Sequence, residues 1–221
     1  ALEGARAALG RFQELNRRAE AEDHGGRSTG AALNRIQELA AEGRLAAALE
    51  ALDALLADGD ASETGTSETG TSENKASAGD APASDDDRAW TLKAKILFSM
   101  DRPKEALEAA REASRLRPGR LENHYLEGLF LSRSGRLKEA RAALERAAAL
   151  DAEHGPTQAL LGAVLGELGE LDEAVRHFEA ALALDSTDPS LRLAYARLLA
   201  ALGRTEESER QMEVYRALGG G

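Results

Sequence analysis

Four histidines, a serine/threonine-rich tract and a complete lack of cysteine bound the chemistry that this 221-residue chain can do. Histidine acts as a metal ligand or as a general acid and base. His24, His124, His154 and His177 form no H-x-x-x-H or H-E-x-x-H pair, the spacing that would set two imidazoles on one helical face. No metal is expected on that ground. Without cysteine there is no disulfide, thiolate metal site, cysteine nucleophile or C-x-x-C-H haem attachment. Neither G-x-x-x-x-G-K-[ST] nor G-x-S-x-G occurs, so the phosphate-cradling loop and the nucleophile elbow are both missing. The expectation is a protein with no catalytic residue and no cofactor.

The hydroxyl tract reads Ser62-Glu-Thr-Gly-Thr66, repeated as Ser67-Glu-Thr-Gly-Thr71 and followed by Ser72-Glu73. Small flanking residues leave Ser62, Thr64, Thr66, Ser67, Thr69, Thr71 and Ser72 open to modification, by O-linked sugar outside the cell or phosphate inside. No N-x-[ST] acceptor for N-glycans occurs. From Asp58 to Asp87 there is no Leu, Ile, Val, Met or aromatic residue, and such a stretch cannot build a core. Nine acids against Lys75 give this stretch eight of the chain's eleven net negative charges. It reads as a solvated loop, as a modified loop, or as one held by a neighbouring subunit or attached sugar.

The elements around these residues follow from a period. Gly135, Gly169 and Gly203 recur every thirty-four residues, and a fixed period of this size means stacked supersecondary units. Small residues stand seven before each glycine, at Gly128, Gly162 and Ala196. Downstream come Ala140-x3-Leu144-x2-Ala147, Ala174-x3-Phe178-x2-Ala181 and Ser208-x3-Met212-x2-Tyr215. Each half-unit is rich in Ala, Leu, Glu and Arg with apolar residues at three and four, so each is an amphipathic helix. Helices are expected at 30–42 and 45–57, 88–100 and 103–116, 121–134 and 137–150, 155–168 and 171–184, and 189–202 and 205–218. Pro103 and Pro189 stand at helix starts, where a missing N–H costs nothing. With four Phe, three Tyr, one Trp and few β-branched residues, no sheet is expected.

Trp90, Ala94, Leu97, Ala106, Ala110, Ala113 and Pro118 carry the pattern back one period, and Gln158-x2-Leu161-Gly162-x2-Leu165 followed by Ala174-x3-Phe178-x2-Ala181 carries it in the middle. This resembles the tetratricopeptide repeat family, whose pattern is W-x2-L-G-x2-Y, then A-x3-F-x2-A, then P. A further unit, Ile36, Leu39, Gly43, Ala48, Leu52 and Leu55, fits the template before a twenty-four-residue insertion, with Asp101 standing where Gly43 stands. The resemblance implies an all-α fold, a right-handed superhelical solenoid of about five antiparallel helix pairs, in a bacterial protein. The expected divisions are an N-terminal helix over 1–27, units at 28–58, 87–120, 121–154, 155–188 and 189–221, and the insertion at 59–86. The N-terminal helix, with Ala5, Leu9, Phe12 and Leu15 on one face, caps the array or completes a partner. Met212 and Tyr215 mark an atypical last unit, which makes Phe12, Met212 and Tyr215 candidate end-face contacts.

In this family the first helices line a concave groove, with ligand contacts from the second, fifth, ninth and twelfth residues of a unit. Carried over by position, the resemblance implies a protein-binding groove of Leu33, Gln37, Arg88, Thr91, Lys95, Phe98, Glu122, Tyr125, Leu129 and Ser132, then Ala159, Ala163, Gly166, Leu193, Arg197 and Ala200. Tyr125 and Phe98 are the preferred anchors, while Trp90 and Phe130 are read as core. The Lys and Asn clamp of chaperone-adaptor members is absent, which argues against chaperone tails. Nucleic acid is disfavoured because an acidic chain with arginines interleaved among glutamates repels phosphate. No apolar run approaches the roughly 18 residues of a membrane span. The chain starts at Ala1, as export processing or trimming would leave it, and its lack of cysteine is more comfortable in an exported protein, periplasmic or extracellular, than in a cytoplasmic one. Two functions fit: a scaffold that binds another protein in its groove, or a subunit that stacks head to tail into a filament.

Overall fold

Periodic Ala and Leu positions make the helices, and the residue after each first helix decides where it stops. The computed structural model describes residues 28–63 and 85–219. They form ten α-helices: α1 Ser28–Ala41, α2 Leu45–Glu63, α3 Asp85–Ser99, α4 Pro103–Leu116, α5 Leu121–Arg133, α6 Leu137–Leu150, α7 Gly155–Leu168, α8 Leu171–Leu184, α9 Pro189–Ala201 and α10 Thr205–Ala217. Among the described residues there is no strand. The expected helix over 1–27, with Phe12, lies outside the described residues.

The recurring glycine has a conformational reason. Gly43, Gly135, Gly169 and Gly203 take φ between 71° and 83°, and Asp101 holds the same left-handed position at 57°. This lets the next amide reach back to a carbonyl five residues earlier: Arg44 to Leu39, Arg102 to Leu97, Arg136 to Leu131, Glu170 to Leu165 and Arg204 to Leu199, at 2.9–3.0 Å. Carbonyls otherwise orphaned at the helix end are thereby satisfied. The residue that donates this bond also starts an ion pair. Arg136 bonds Glu139 and Arg204 bonds Glu207 three residues on, as Arg102 does Glu105. Glu170 breaks the rule by standing beside Glu173, and Arg141 of α6 compensates by bonding Glu170 at 2.6 Å and approaching Glu173 to 3.8 Å.

The helices group into two compact units, one ending at Gly119 and one beginning at Arg120. In the first, α1 pairs with α2 and α3 with α4, and α3 packs on both α1 and α2. In the second, α5/α6, α7/α8 and α9/α10 form three antiparallel pairs. Small residues bring the paired backbones together. A Cβ on Gly128 would lie 2.6 Å from Leu144 Cγ, and one on Gly162 would lie 3.1 Å from Phe178 and 3.2 Å from the Ala174 carbonyl. Leu144 and Phe178 fill the space thus defined and are buried with Ala140, Ala147, Ala174 and Ala181.

The helices on either side of the insertion run further than the expected 45–57 and 88–100. Helix α2 continues to Glu63 and α3 begins at Asp85. No proline interrupts residues 58–63, so the helix propagates once nucleated, and Asp85, Asp86 and Asp87 occupy the first turn of α3, where carboxylates favour the positive helix end. Asp87 is fully buried, with the Arg117 guanidinium 3.9 Å away.

Candidate protein-binding surface

In the second unit, α5 packs on α7 and α7 on α9, whereas α6, α8 and α10 do not pack on one another. The first helices are therefore the crowded inner row, and the face they share is concave. Its middle holds a cleft of about 400 Å³. Tyr125 of α5 forms one wall and Gly155, Pro156, Ala159, Leu160 and Ala163 of α7 another. Phe178 and Ala181 of α8 make the floor, and Asp185, Asp188, Ser190, Leu191 and Ala194 close the far side. The cleft exists because Ala159, Ala163, Ala181 and Ala194 end at Cβ.

Tyr125 is fixed by an edge-on contact with the His154 ring, centroids 5.5 Å apart, and burial raises its hydroxyl pKa, so the phenol stays protonated at neutral pH. His154 is held in turn by Thr157, Nδ1 lying 2.6 Å from Oγ1. On the far rim Asp188 caps α9, accepting from the amides of Ser190 at 2.8 Å and Leu191 at 3.3 Å. Asp185 accepts from the Thr187 hydroxyl at 2.7 Å and amide at 2.8 Å, bonds that hold its pKa below the usual carboxylate value.

A second cleft, of about 380 Å³, adjoins the first through Ser190 and Ala194 and is completed by Pro189, Leu193, Arg197, Tyr215 and Gly219. Most arginines of this unit pair with glutamates; Arg197 makes no ion pair among the described residues. Behind the concave face, His177 of α8 bonds Gln158 of α7, Nδ1 to Oε1 at 2.6 Å, while Gln158 donates to the Ala152 carbonyl at 2.8 Å. This ties the imidazole into the helix pair.

Of the positions expected to line a groove, the structure gathers Tyr125, Ala159 and Ala163 in the first cleft and Leu193 and Arg197 in the second. Tyr215, expected at an end face, joins Leu193 and Arg197, and Met212 is half-buried on α10. Leu129 is half-buried on α5 but lines neither cleft. In the first unit Gln37, Arg88 and Lys95 are exposed and Phe98 is half-buried, whereas Leu33 and Thr91 are each only 4% exposed. Their side chains are not offered to a ligand; Thr91 donates its hydroxyl to the Asp87 carbonyl instead. Trp90, expected in the core, is half-buried and lines a cleft of about 350 Å³ with Lys93, Leu97, Glu105, Glu108, Ala109 and Glu112. The Lys93 ammonium lies 4.8 Å from the Trp90 ring centroid and 2.6 Å from Asp53. Ser62 falls in the last turn of α2, and Thr64, Thr66, Ser67, Thr69, Thr71 and Ser72 lie outside the described residues.

Pro156, Ser190, Asp185 and Asp188 were legible only in part. The first two occupy the second position of their units, and Asp188-Pro189 signals a capped helix start, but nothing in the spacing turns Asp185 toward the same cleft. Among the described residues no three His, Asp or Glu side chains converge to hold a metal, and no helix is long and apolar enough to cross a membrane.

Two family models described as tetratricopeptide repeat match the chain, one over residues 87–120 and 121–154 and the other over 167–219. Among curated proteins no sequence match is found. The fold is similar to that of "MamA 41-end from Desulfovibrio magneticus RS-1", with a TM-score of 0.68 at 15% identity over 88% of this chain and 96% of that one. A crystal structure of MamA protein gives 0.67 at 16% identity, over 88% and 93%. The structure titled "YrrB: a TPR protein with an unusual peptide-binding site" gives 0.65 at 18% identity, over 94% and 91%. Repeat period, small-residue helix contacts and family models agree, and together the matched segments span more than half of the sequence: the chain belongs to the tetratricopeptide repeat family.

Proposed function

We infer that this chain is a non-catalytic scaffold that binds a segment of another protein on the concave face of its second unit. The observation that carries the reading is the cleft of about 400 Å³ walled by Tyr125, Pro156, Ala159 and Ala163, the second, fifth and ninth positions of successive first helices. A concave, mostly apolar site with a few placed polar groups is what a bound segment requires. Tyr125 supplies an anchor of the kind that concentrates binding energy. The peptide-binding site named for YrrB, a protein of similar fold, supports the same reading.

The test compares wild type with Ala163→Glu and Tyr125→Ala as baits for crosslinking of partner proteins in cells. Adducts that form with wild type, and that both variants lose while keeping wild-type helical content by circular dichroism, support the reading. Adducts retained by both variants refute it. A second reading is favoured by the exposed Val214 of α10 and Leu218 just after it: this end of the chain's last helix docks on another copy, as head-to-tail assembly requires. Light scattering across a concentration series separates the two, since a monomer at every concentration removes the assembly reading.

A further inference from the structure

The acidic rim of the first cleft gives the bound segment a chemistry. Resting on the concave-face reading above, we propose that the cleft selects a peptide segment in which a lysine or arginine stands beside a small apolar residue, the cation meeting Asp185 and Asp188 and the apolar side chain entering between Tyr125 and Ala163. Three observations converge. The cleft is lined mainly by Pro, Ala, Leu and Phe, so a segment seated in it buries apolar surface and meets charge only at the edge. Asp185 and Asp188 both border it, and their bonds go to neutral donors of Thr187, Ser190 and Leu191. Neither carboxylate is paired with a Lys or Arg among the described residues. Arg192, one turn into α9, directs its guanidinium to the Ser186 carbonyl and Gln211 Oε1.

The rest of the face sets the register. Tyr125 presents a ring against which the small apolar side chain packs. Arg197 lies on the adjoining cleft, two to three turns along α9 from Asp188, roughly 13 Å at the helical rise. A cation is favoured at the Asp185 end and repelled at the Arg197 end, so a basic segment has one preferred placement.

The test uses the full chain and a displayed random-peptide library. Retained peptides are synthesised, labelled and titrated by fluorescence polarisation against wild type, Tyr125→Ala and the double variant Asp185→Asn, Asp188→Asn. Asparagine keeps the acceptor oxygen at both positions and caps a helix as well as aspartate, so the double variant removes charge and leaves the loop folded, which circular dichroism verifies. The expected result is a Lys or Arg fixed at one peptide position, and binding that falls about tenfold with the double variant and weakens with added salt. Peptides weakened by Tyr125→Ala but carrying no fixed basic residue, or indifferent to the double variant, overturn the cation preference and leave the concave-face reading standing. Peptides indifferent to Tyr125→Ala, or a library from which nothing is retained, overturn both.

Discussion

Asp101 is the one non-glycine residue at the left-handed position that ends the first helix of each pair, with φ of 57°. A Cβ there costs about 1–2 kcal/mol for ordinary L-residues, less for Asp, and glycine's extra freedom in the unfolded chain offsets part of any gain. Asp101→Gly is therefore expected to raise stability by up to about 1 kcal/mol, read as a higher urea midpoint, and Gly169→Ala to lower it by about 1–2 kcal/mol. A lower midpoint for Asp101→Gly contradicts the account. Two titrating groups act at the same scale. Burial, the largest cause, lowers the pKa of His177, so as pH falls below the ordinary imidazole value the unfolded chain takes up the proton first. The melting temperature is expected to drop from pH 7 to 5.5, and His177→Gln to flatten that segment. Burial and the Glu179 bond raise the Tyr195 pKa to about 12. Its contribution is intact below pH 10 and lost as pH rises through 12, so Tyr195→Phe should resist alkaline unfolding better than wild type.

At the scale of elements, the helix pair is specified by a small residue on one helix facing a large one on the next. Gly128 and Leu144 show how tight that fit is: an added methyl would sit 2.6 Å from Leu144 Cγ, and Leu144 is fully buried with nowhere to retreat. Overpacking of this kind costs about 1–3 kcal/mol, while alanine's better helix propensity returns about 1 kcal/mol. Gly128→Ala is expected to destabilise by up to about 2 kcal/mol, and thermal melts showing a gain would refute the close approach. The matching contact in α9/α10 is polar: Ser208 donates its hydroxyl to the Ala196 carbonyl at 2.8 Å. At that terminal pair a hydroxyl-to-carbonyl hydrogen bond thus stands where α5/α6 and α7/α8 have an alanine, Ala140 or Ala174, against a glycine.

At the scale of the molecule, the two compact units divide between Gly119 and Arg120, just past Pro118. The second unit has its own core, including Phe130, Leu131, Leu144, Leu165, Phe178 and Leu199. In repeat arrays stability is approximately a sum of local and nearest-neighbour terms. Residues 120–221 expressed alone are therefore expected to be helical and to melt cooperatively, measured by circular dichroism. A fragment without a thermal transition would show that this core is insufficient.

The sequence by itself determined the family, the helical class and nearly every helix boundary, because a thirty-four-residue period, a glycine at each turn and small residues at each crossing are local signals. It also located α2 and α3 but set their inner ends too far apart, since an apolar-poor stretch carries no hydrophobic period even where Asp85 to Asp87 suit a helix start. Tertiary structure decided which positions reach a ligand. Leu33 and Thr91 share their place in the unit with Ala159 and with residues at the cleft, yet neighbours enclose the first two and leave the others open. It also decided that Asp185, Asp188 and Tyr125 meet across one cleft. Residues sixty positions apart converge only through the packing of α5 on α7 and α7 on α9, and no spacing along the chain encodes that meeting.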